Sequence, residues 1–270
     1  MPHITWCTTG RLTFLPIHAA GLYDANDQPK VFDFVISSYS PTLTALLSAK
    51  RPTTERNQFV RLLAVSQPAT PRQRRLPGTL DEVNAIQTFQ SQTDRLLITR
   101  LDDREATVAA VLQNMNDCNW VHLACHGVQD NKSAIDSAFH LIDGPLTLRE
   151  IMKQSFSHTE LAVLSACQTA TGDKTIPEEA VHLAAGMLMA GYQSVVGTMW
   201  RIRDNDAPIL AKKFYSYLIS EGGRDSANAA YALHYAVAHL RSVRGENDFA
   251  GWVPYIHLGI CSARESCTPA

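Results

Sequence analysis

Short apolar runs closed by polar or glycine positions alternate along this chain with stretches in which apolar residues return every three to four places. The runs are Arg61-Leu-Leu-Ala-Val65, Leu96-Leu-Ile-Thr-Arg-Leu101, Asn119-Trp-Val-His-Leu-Ala-Cys-His126-Gly127, Glu160-Leu-Ala-Val-Leu-Ser-Ala-Cys167-Gln-Thr and Ser194-Val-Val-Gly-Thr-Met-Trp200. Such runs suit strands buried on both faces of a parallel sheet. Between them, Val83, Ile86 and Phe89, then Val108, Val111, Leu112 and Met115, trace single helical faces. Leu210, Phe214, Tyr217 and Leu218, and later Ala230, Leu233, Val237 and Leu240, do the same. Thr79-Leu-Asp-Glu82 and Thr147-Leu-Arg-Glu150 read as capping boxes, Asp102 or Asp103 as the start of the 108–115 helix, and Asp206 as an N-cap with Pro208 in the first turn. Strands alternating with helices predict an α/β chain with a mostly parallel, helix-covered sheet.

The N-terminal part adds Val31-Phe-Asp-Phe-Val-Ile36, which alternates like a strand, and Pro41-Thr-Leu-Thr-Ala-Leu-Leu47, which reads as a short helix. Residues 1–58 are too few for a core of their own and are expected to pack on a main domain over 59–262, with a polar linker near 50–60. Trp252 to Gly259 reads as the last strand, and 263–270 as a polar tail.

Charge and cysteine usage narrow the function. With 24 basic and 26 acidic residues among 270, the balance gives no reason to expect nucleic acid or an anionic membrane as partner. No stretch approaches the roughly 18 apolar residues of a spanning helix, and the start carries no signal-peptide pattern. The cysteines at 7, 118, 125, 167, 261 and 267 form no C-x-x-C pair, which reads as reduced thiols in a cytoplasmic protein. No cofactor or metal is called for: His122, Cys125 and His126 are donors of zinc type, but their spacing gathers ligands on a helix and not on a strand.

The two runs ending near His126 and Cys167 are joined through the Thr147 helix. A right-handed strand–helix–strand crossover sets both C-terminal strand ends along one sheet edge, where ligands gather in open α/β sheets. A thiol with a pKa near 8.5 needs a neighbouring base to attack a carbonyl efficiently. His126 is the candidate base and Cys167 the candidate nucleophile, with the backbone N–H groups of Gly127 and Cys167 as oxyanion donors. The competing reading makes both ordinary core residues. Gly127 is expected to let the backbone turn after the strand. His122 lies four residues upstream, about 13 Å back into the sheet, and reads as a core histidine; Cys125 reads as a buried, inert thiol. Pro68-Ala-Thr-Pro-Arg-Gln-Arg-Arg-Leu-Pro77 reads as a solvated loop, mobile and open to nicking, with a processing site as the sharper alternative. Asp204, after the 194–200 strand, and Asp130, three residues past Gly127, are candidates for an acidic pocket that takes a basic side chain. Asp204 as part of a helix cap is the competing reading.

At these residues the chain resembles a CHAT domain, a caspase- and separase-like cysteine peptidase module. The matching pieces are Leu123-Ala-Cys-His126-Gly127, Leu164-Ser-Ala-Cys167-Gln-Thr-Ala170, Ala184-Ala-Gly186-Met-Leu-Met-Ala-Gly191, Val195-Val-Gly-Thr-Met-Trp200 and Asp204. Leu15-Pro-Ile-His-Ala-Ala-Gly21 and Ser37-Ser-Tyr-Ser-Pro-Thr-Leu43 are similar to the opening of such domains. The resemblance implies a caspase-like α/β/α sandwich, a His126/Cys167 dyad, and regulated, limited proteolysis of protein or peptide substrates through a thioester acyl-enzyme. It also leaves room for an activating partner, or for tetratricopeptide repeats in a longer chain. A catalytically silent interaction module with the same fold is the alternative.

Overall fold

A computed structural model describes residues 1–24, 28–44, 59–128, 130, 133–156, 158–168, 179–221 and 225–259. Its strands are β1 (His3–Trp6), β2 (Ile36–Tyr39), β3 (Val60–Ser66), β4 (Leu96–Asp102), β5 (Trp120–Val128), β6 (Ala138–His140), β7 (Pro145–Thr147), β8 (Leu161–Gln168), β9 (Ser194–Thr198) and β10 (Tyr255–Gly259). The α-helices are α1 (Val31–Phe34), α2 (Gly78–Gln87), α3 (Val108–Asp117), α4 (Leu148–Met152), α5 (Glu179–Met189), α6 (Ala207–Ser216), α7 (Ala229–Arg244) and α8 (Phe249–Trp252).

The strands form one sheet in the order β1-β2-β10-β9-β8-β5-β3-β4, with β6 and β7 attached beside β5. β4, β3, β5, β8 and β9 run parallel; β1, β2 and β10 run parallel to one another; the two groups meet at the antiparallel β9–β10 pair. Helices cover both faces. Val83 and Ile86 of α2, Phe214 of α6 and Leu233 and Leu240 of α7 pack with Leu62, Trp120 and Val163 on one side. Val111 and Met115 of α3, Ile151 of α4 and Leu183 and Met187 of α5 pack with Leu63, Val121, Leu123 and Leu164 on the other. Alternation along each strand divides its side chains between the two cores, which is why these strands read as continuous apolar runs. The result is a three-layer α/β/α sandwich with a mostly parallel sheet, as the pattern of runs predicts.

Several local expectations are corrected. Val31–Phe34 is a short helix and the strand is Ile36–Tyr39, so the alternation ends one element too early. Trp252 closes a helix, and the last strand begins at Tyr255. The 108–115 helix is capped by Thr107, whose hydroxyl accepts from Ala110 N–H, while Asp103–Glu105 forms a separate 3-10 turn. Residues 45–47 of the expected 41–47 helix, 50–58 of the 50–60 linker and all of the 263–270 tail lie outside the described residues. No helix among the described residues is long and apolar enough to cross a membrane.

Candidate active site

The strand–helix–strand crossover is built as the sequence indicates. Thr147 Oγ1 accepts from Glu150 N–H at 3.2 Å and Glu150 Oε2 accepts from Thr147 N–H at 2.9 Å, the two halves of a capping box that starts α4. β5 and β8 then lie side by side and parallel, and their register aligns His126 with Cys167 and Gly127 with Gln168.

β5 does not stop at His126. β3 pairs with β5 only as far as Ala124, and β6 takes up the vacated side by pairing His126, Gly127 and Val128 with His140, Phe139 and Ala138. The β6–β7 hairpin between the two halves of the crossover carries no clear alternation, and sequence reading passed over it. Gly127 therefore makes no turn. A Cβ there would lie 3.1 Å from both Ala166 Cβ and Leu183 Cδ1, so the glycine lets α5 approach β5 and β8.

His126 is 1% exposed. Its Nε2 lies 2.6 Å from the carbonyl oxygen of Arg74. A carbonyl only accepts, so the proton of a neutral ring resides on Nε2 and Nδ1 carries the lone pair. Nδ1 has no hydrogen-bond partner among the described residues. The His126 pKa lies below the ordinary histidine value of 6.5, chiefly because burial disfavours the cation; Arg201 adds to the depression, while the Arg74 carbonyl and Asp204 oppose it.

The Arg74 carbonyl comes from the Pro68–Pro77 loop, which is solvated as expected and anchored as well. Leu76 is buried and its N–H donates to Pro68 O at 2.9 Å, Gln73 N–H donates to Thr70 O at 3.2 Å, and the loop's carbonyl seats His126. Apolar anchors and backbone bonds fix the chain, while the side chains of Arg72, Arg74 and Arg75 remain exposed in water.

The two acidic candidates each hold a backbone N–H. Asp204 Oδ2 accepts from Gly78 N–H at 2.8 Å, so it caps α2, not the helix that follows it in sequence. Asp130 is exposed, and its Oδ1 accepts from Ser133 N–H at 2.9 Å. Asp206 occupies the N-cap position of α6, but its carboxylate makes no cap bond; Oδ1 accepts from Arg244 Nε at 2.6 Å.

Glu82 is the residue that sequence reading misplaced. Thr79 and Glu82 form no capping box; Thr79 donates to Leu76 O, and Glu82 is 2% exposed on the inner side of α2. Its Oε2 accepts from Ser165 Oγ at 2.8 Å and its Oε1 lies 3.1 Å from His122 Nε2. His122 Nδ1 in turn lies 3.1 Å from the Tyr215 hydroxyl. A buried polar cluster thus underlies the strands that carry His126 and Cys167. The signal was available: 79, 82, 83 and 86 follow the i, i+3, i+4, i+7 stripe, so Glu82 belongs to the buried face. His122 is the core histidine expected, and Cys125 is fully buried.

A family model described as the CHAT domain matches residues 1–260. The chain belongs to the CHAT domain family. Among solved structures, the Arg-specific cysteine proteinase gingipain R is similar over 85% of this chain and 54% of its own, at 11% identity and a TM-score of 0.57. The Saccharomyces cerevisiae separase–securin complex is similar over 85% of this chain and 14% of that chain, at 14% identity and a TM-score of 0.57. A complex of Porphyromonas gingivalis RgpB pro- and mature domains aligns over 88% of this chain and 57% of its own, with 10% identity and a TM-score of 0.54. The CHAT chain therefore spans about half of the gingipain chain and a small part of separase, and at these identities the likeness is one of fold. No curated protein matches it. The CHAT chain is thus a caspase-fold protein, built on the scaffold of cysteine peptidases.

Proposed function

We propose that this CHAT domain is a cysteine endopeptidase performing limited proteolysis in the cytoplasm, with Cys167 as nucleophile and His126 as base. The observation that carries the reading is the half-partnered ring of His126: Nε2 is seated on the Arg74 carbonyl, Nδ1 is unpartnered among the described residues, and Cys167 is its in-register neighbour. A histidine kept neutral by burial can accept the thiol proton as sulfur attacks the peptide carbonyl. The tetrahedral oxyanion would be met by the backbone N–H of Cys167; Gly127, the other expected donor, lies between β6 and β8 with its N–H directed into the sheet. On collapse, the imidazolium protonates the leaving amine, leaving a thioester; water, deprotonated by the same ring, then releases the acid and regenerates the thiol.

Asp204 and Asp130 are the substrate-binding candidates of this reading, each carboxylate also holding a backbone N–H. The alternative of a silent interaction module has no specific observation in its favour. Screening wild type and Cys167→Ala against a diverse peptide library tests the reading. Cleavage by wild type alone supports it; equal cleavage by both, or none by either once Cys167 proves unreactive towards thiol probes, overturns it.

A further inference from the structure

Two loops frame His126, and both are cationic. The first is the Pro68–Pro77 loop, whose Arg74 carbonyl seats the ring. The second follows β9 and is tied to the end of the first by the 2.8 Å bond between Asp204 and Gly78 N–H. Together they present Arg72, Arg74, Arg75 and Arg201, all exposed, and none has an ion pair or side-chain hydrogen bond among the described residues. The acids of the same loops are engaged: Asp204 on Gly78 N–H and Asp206 on Arg244, while Arg203 pairs with Asp248. Asp81, exposed in the first turn of α2, and Asp204, whose charge also reaches His126, offset two of the four charges. On a chain of net charge −2, this rim is a local reversal of sign.

We infer that the segment this site recognises carries acidic side chains within a few residues of the bond placed at His126 and Cys167. The inference rests on the peptidase reading of that pair. Guanidinium groups meet carboxylates through paired, charge-assisted hydrogen bonds, and an unpaired cationic rim disfavours basic segments by like-charge contact. Arg201 depresses the basicity of His126, which independently places its charge within reach of the ring. An acidic peptide fits better than a nucleic acid, because the four arginines lie on two short loops tied together beside one ring while the chain as a whole is slightly acidic, whereas a nucleic-acid footprint is an extended basic patch or stripe on a basic domain.

Binding to the 270-residue Cys167→Ala chain tests the inference without turnover. Fluorescent peptides of one backbone, flanked by Glu, Gln or Lys, are titrated by anisotropy at low and moderate salt, beside a single-stranded RNA of charge equal to the Glu peptide. The Glu peptide is expected to bind about tenfold or more tighter than the Gln peptide, to weaken steeply with salt, and to lose that advantage when Arg72→Asn, Arg75→Gln and Arg201→Gln are combined. Asn suits position 72, where the backbone φ is 63°. Equal affinity for Glu and Gln peptides, tighter binding of the Lys peptide, or an advantage unchanged in the triple variant overturns it. RNA bound more tightly than the Glu peptide also overturns it and makes the rim a nucleic-acid surface. Selective Glu binding beside wild-type protein that cleaves none of the peptides, and whose Cys167 is unreactive towards thiol probes, supports the cationic rim and removes the peptidase reading.

Discussion

Two buried histidines, one in each part of the sheet, separate structure from chemistry in this CHAT domain. His257 sits where the two parallel groups of strands meet, and both ring nitrogens are occupied: Nδ1 lies 2.6 Å from Ser38 Oγ and Nε2 2.7 Å from Ser194 Oγ. His3 extends the chain, with Nε2 2.7 Å from the same Ser38 hydroxyl. Burial pushes the His257 pKa down to about 3, with His3 adding to the depression. His126 is as deeply buried but half occupied. A closed hydrogen-bond network has nothing left to offer a substrate; a ring with one seated and one open nitrogen is oriented and still basic. Partner count, not burial, distinguishes the two.

Breaking the open site should produce the largest effect. His126→Asn is expected to lower kcat/KM on a cleaved peptide by about a thousandfold or more, as loss of a general base does, while the unfolding free energy changes by no more than about 2 kcal/mol. Breaking the closed site should do the reverse. His257→Leu strands the Ser194 hydroxyl in an apolar seam and leaves Ser38 to His3 alone; it should cost about 1–3 kcal/mol in a denaturant titration, with kcat/KM of the folded protein retained.

Acid should expose the same asymmetry in stability. In the unfolded chain His257 takes up a proton near pH 6.5; in the folded chain it does so near pH 3. Its contribution is therefore complete above pH 6.5 and lost as pH falls from there towards 3, at about 1.4 kcal/mol per pH unit, or roughly 2 kcal/mol by pH 5. Denaturant titrations of wild type and His257→Leu between pH 7.5 and 5 check this: wild type should lose stability more steeply.

The smallest effect concerns tuning. Arg201 adds to the depression of the His126 pKa, so Arg201→Gln should move the acid limb of the pH–rate profile upward, towards 6.5. Asp204 acts in the opposite direction, and Asp204→Asn should move the limb downward.

These contrasts also mark what was legible in the sequence. Central strands declare themselves because both faces are buried, so β3, β5, β8 and β9 stand out as runs, and the order of runs and stripes leads to the sandwich and to His126 beside Cys167. What depends on partners distant in sequence does not declare itself. Arg74 contributes a main-chain oxygen, which no side-chain pattern reports. Asp204 caps α2, more than a hundred residues away, and so looked like a local cap or a free pocket acid. Glu82 matched a capping box by spacing, yet its place on the buried stripe outweighs that local rule. The basic loop read as solvated from its arginines, while its apolar anchor at Leu76 went unread.

The central claim, that the open nitrogen of His126 activates Cys167, is tested most directly by cysteine alkylation. Wild type and His126→Asn are treated with iodoacetamide from pH 5.5 to 9, and modification of each of the six cysteines is followed by mass spectrometry. The account predicts that Cys167 reacts fastest in wild type, keeps reacting below pH 6.5, and falls back in His126→Asn to a rate that rises near the ordinary thiol value of about 8.5. Cys167 rising near pH 8.5 at the same rate in both proteins would contradict it.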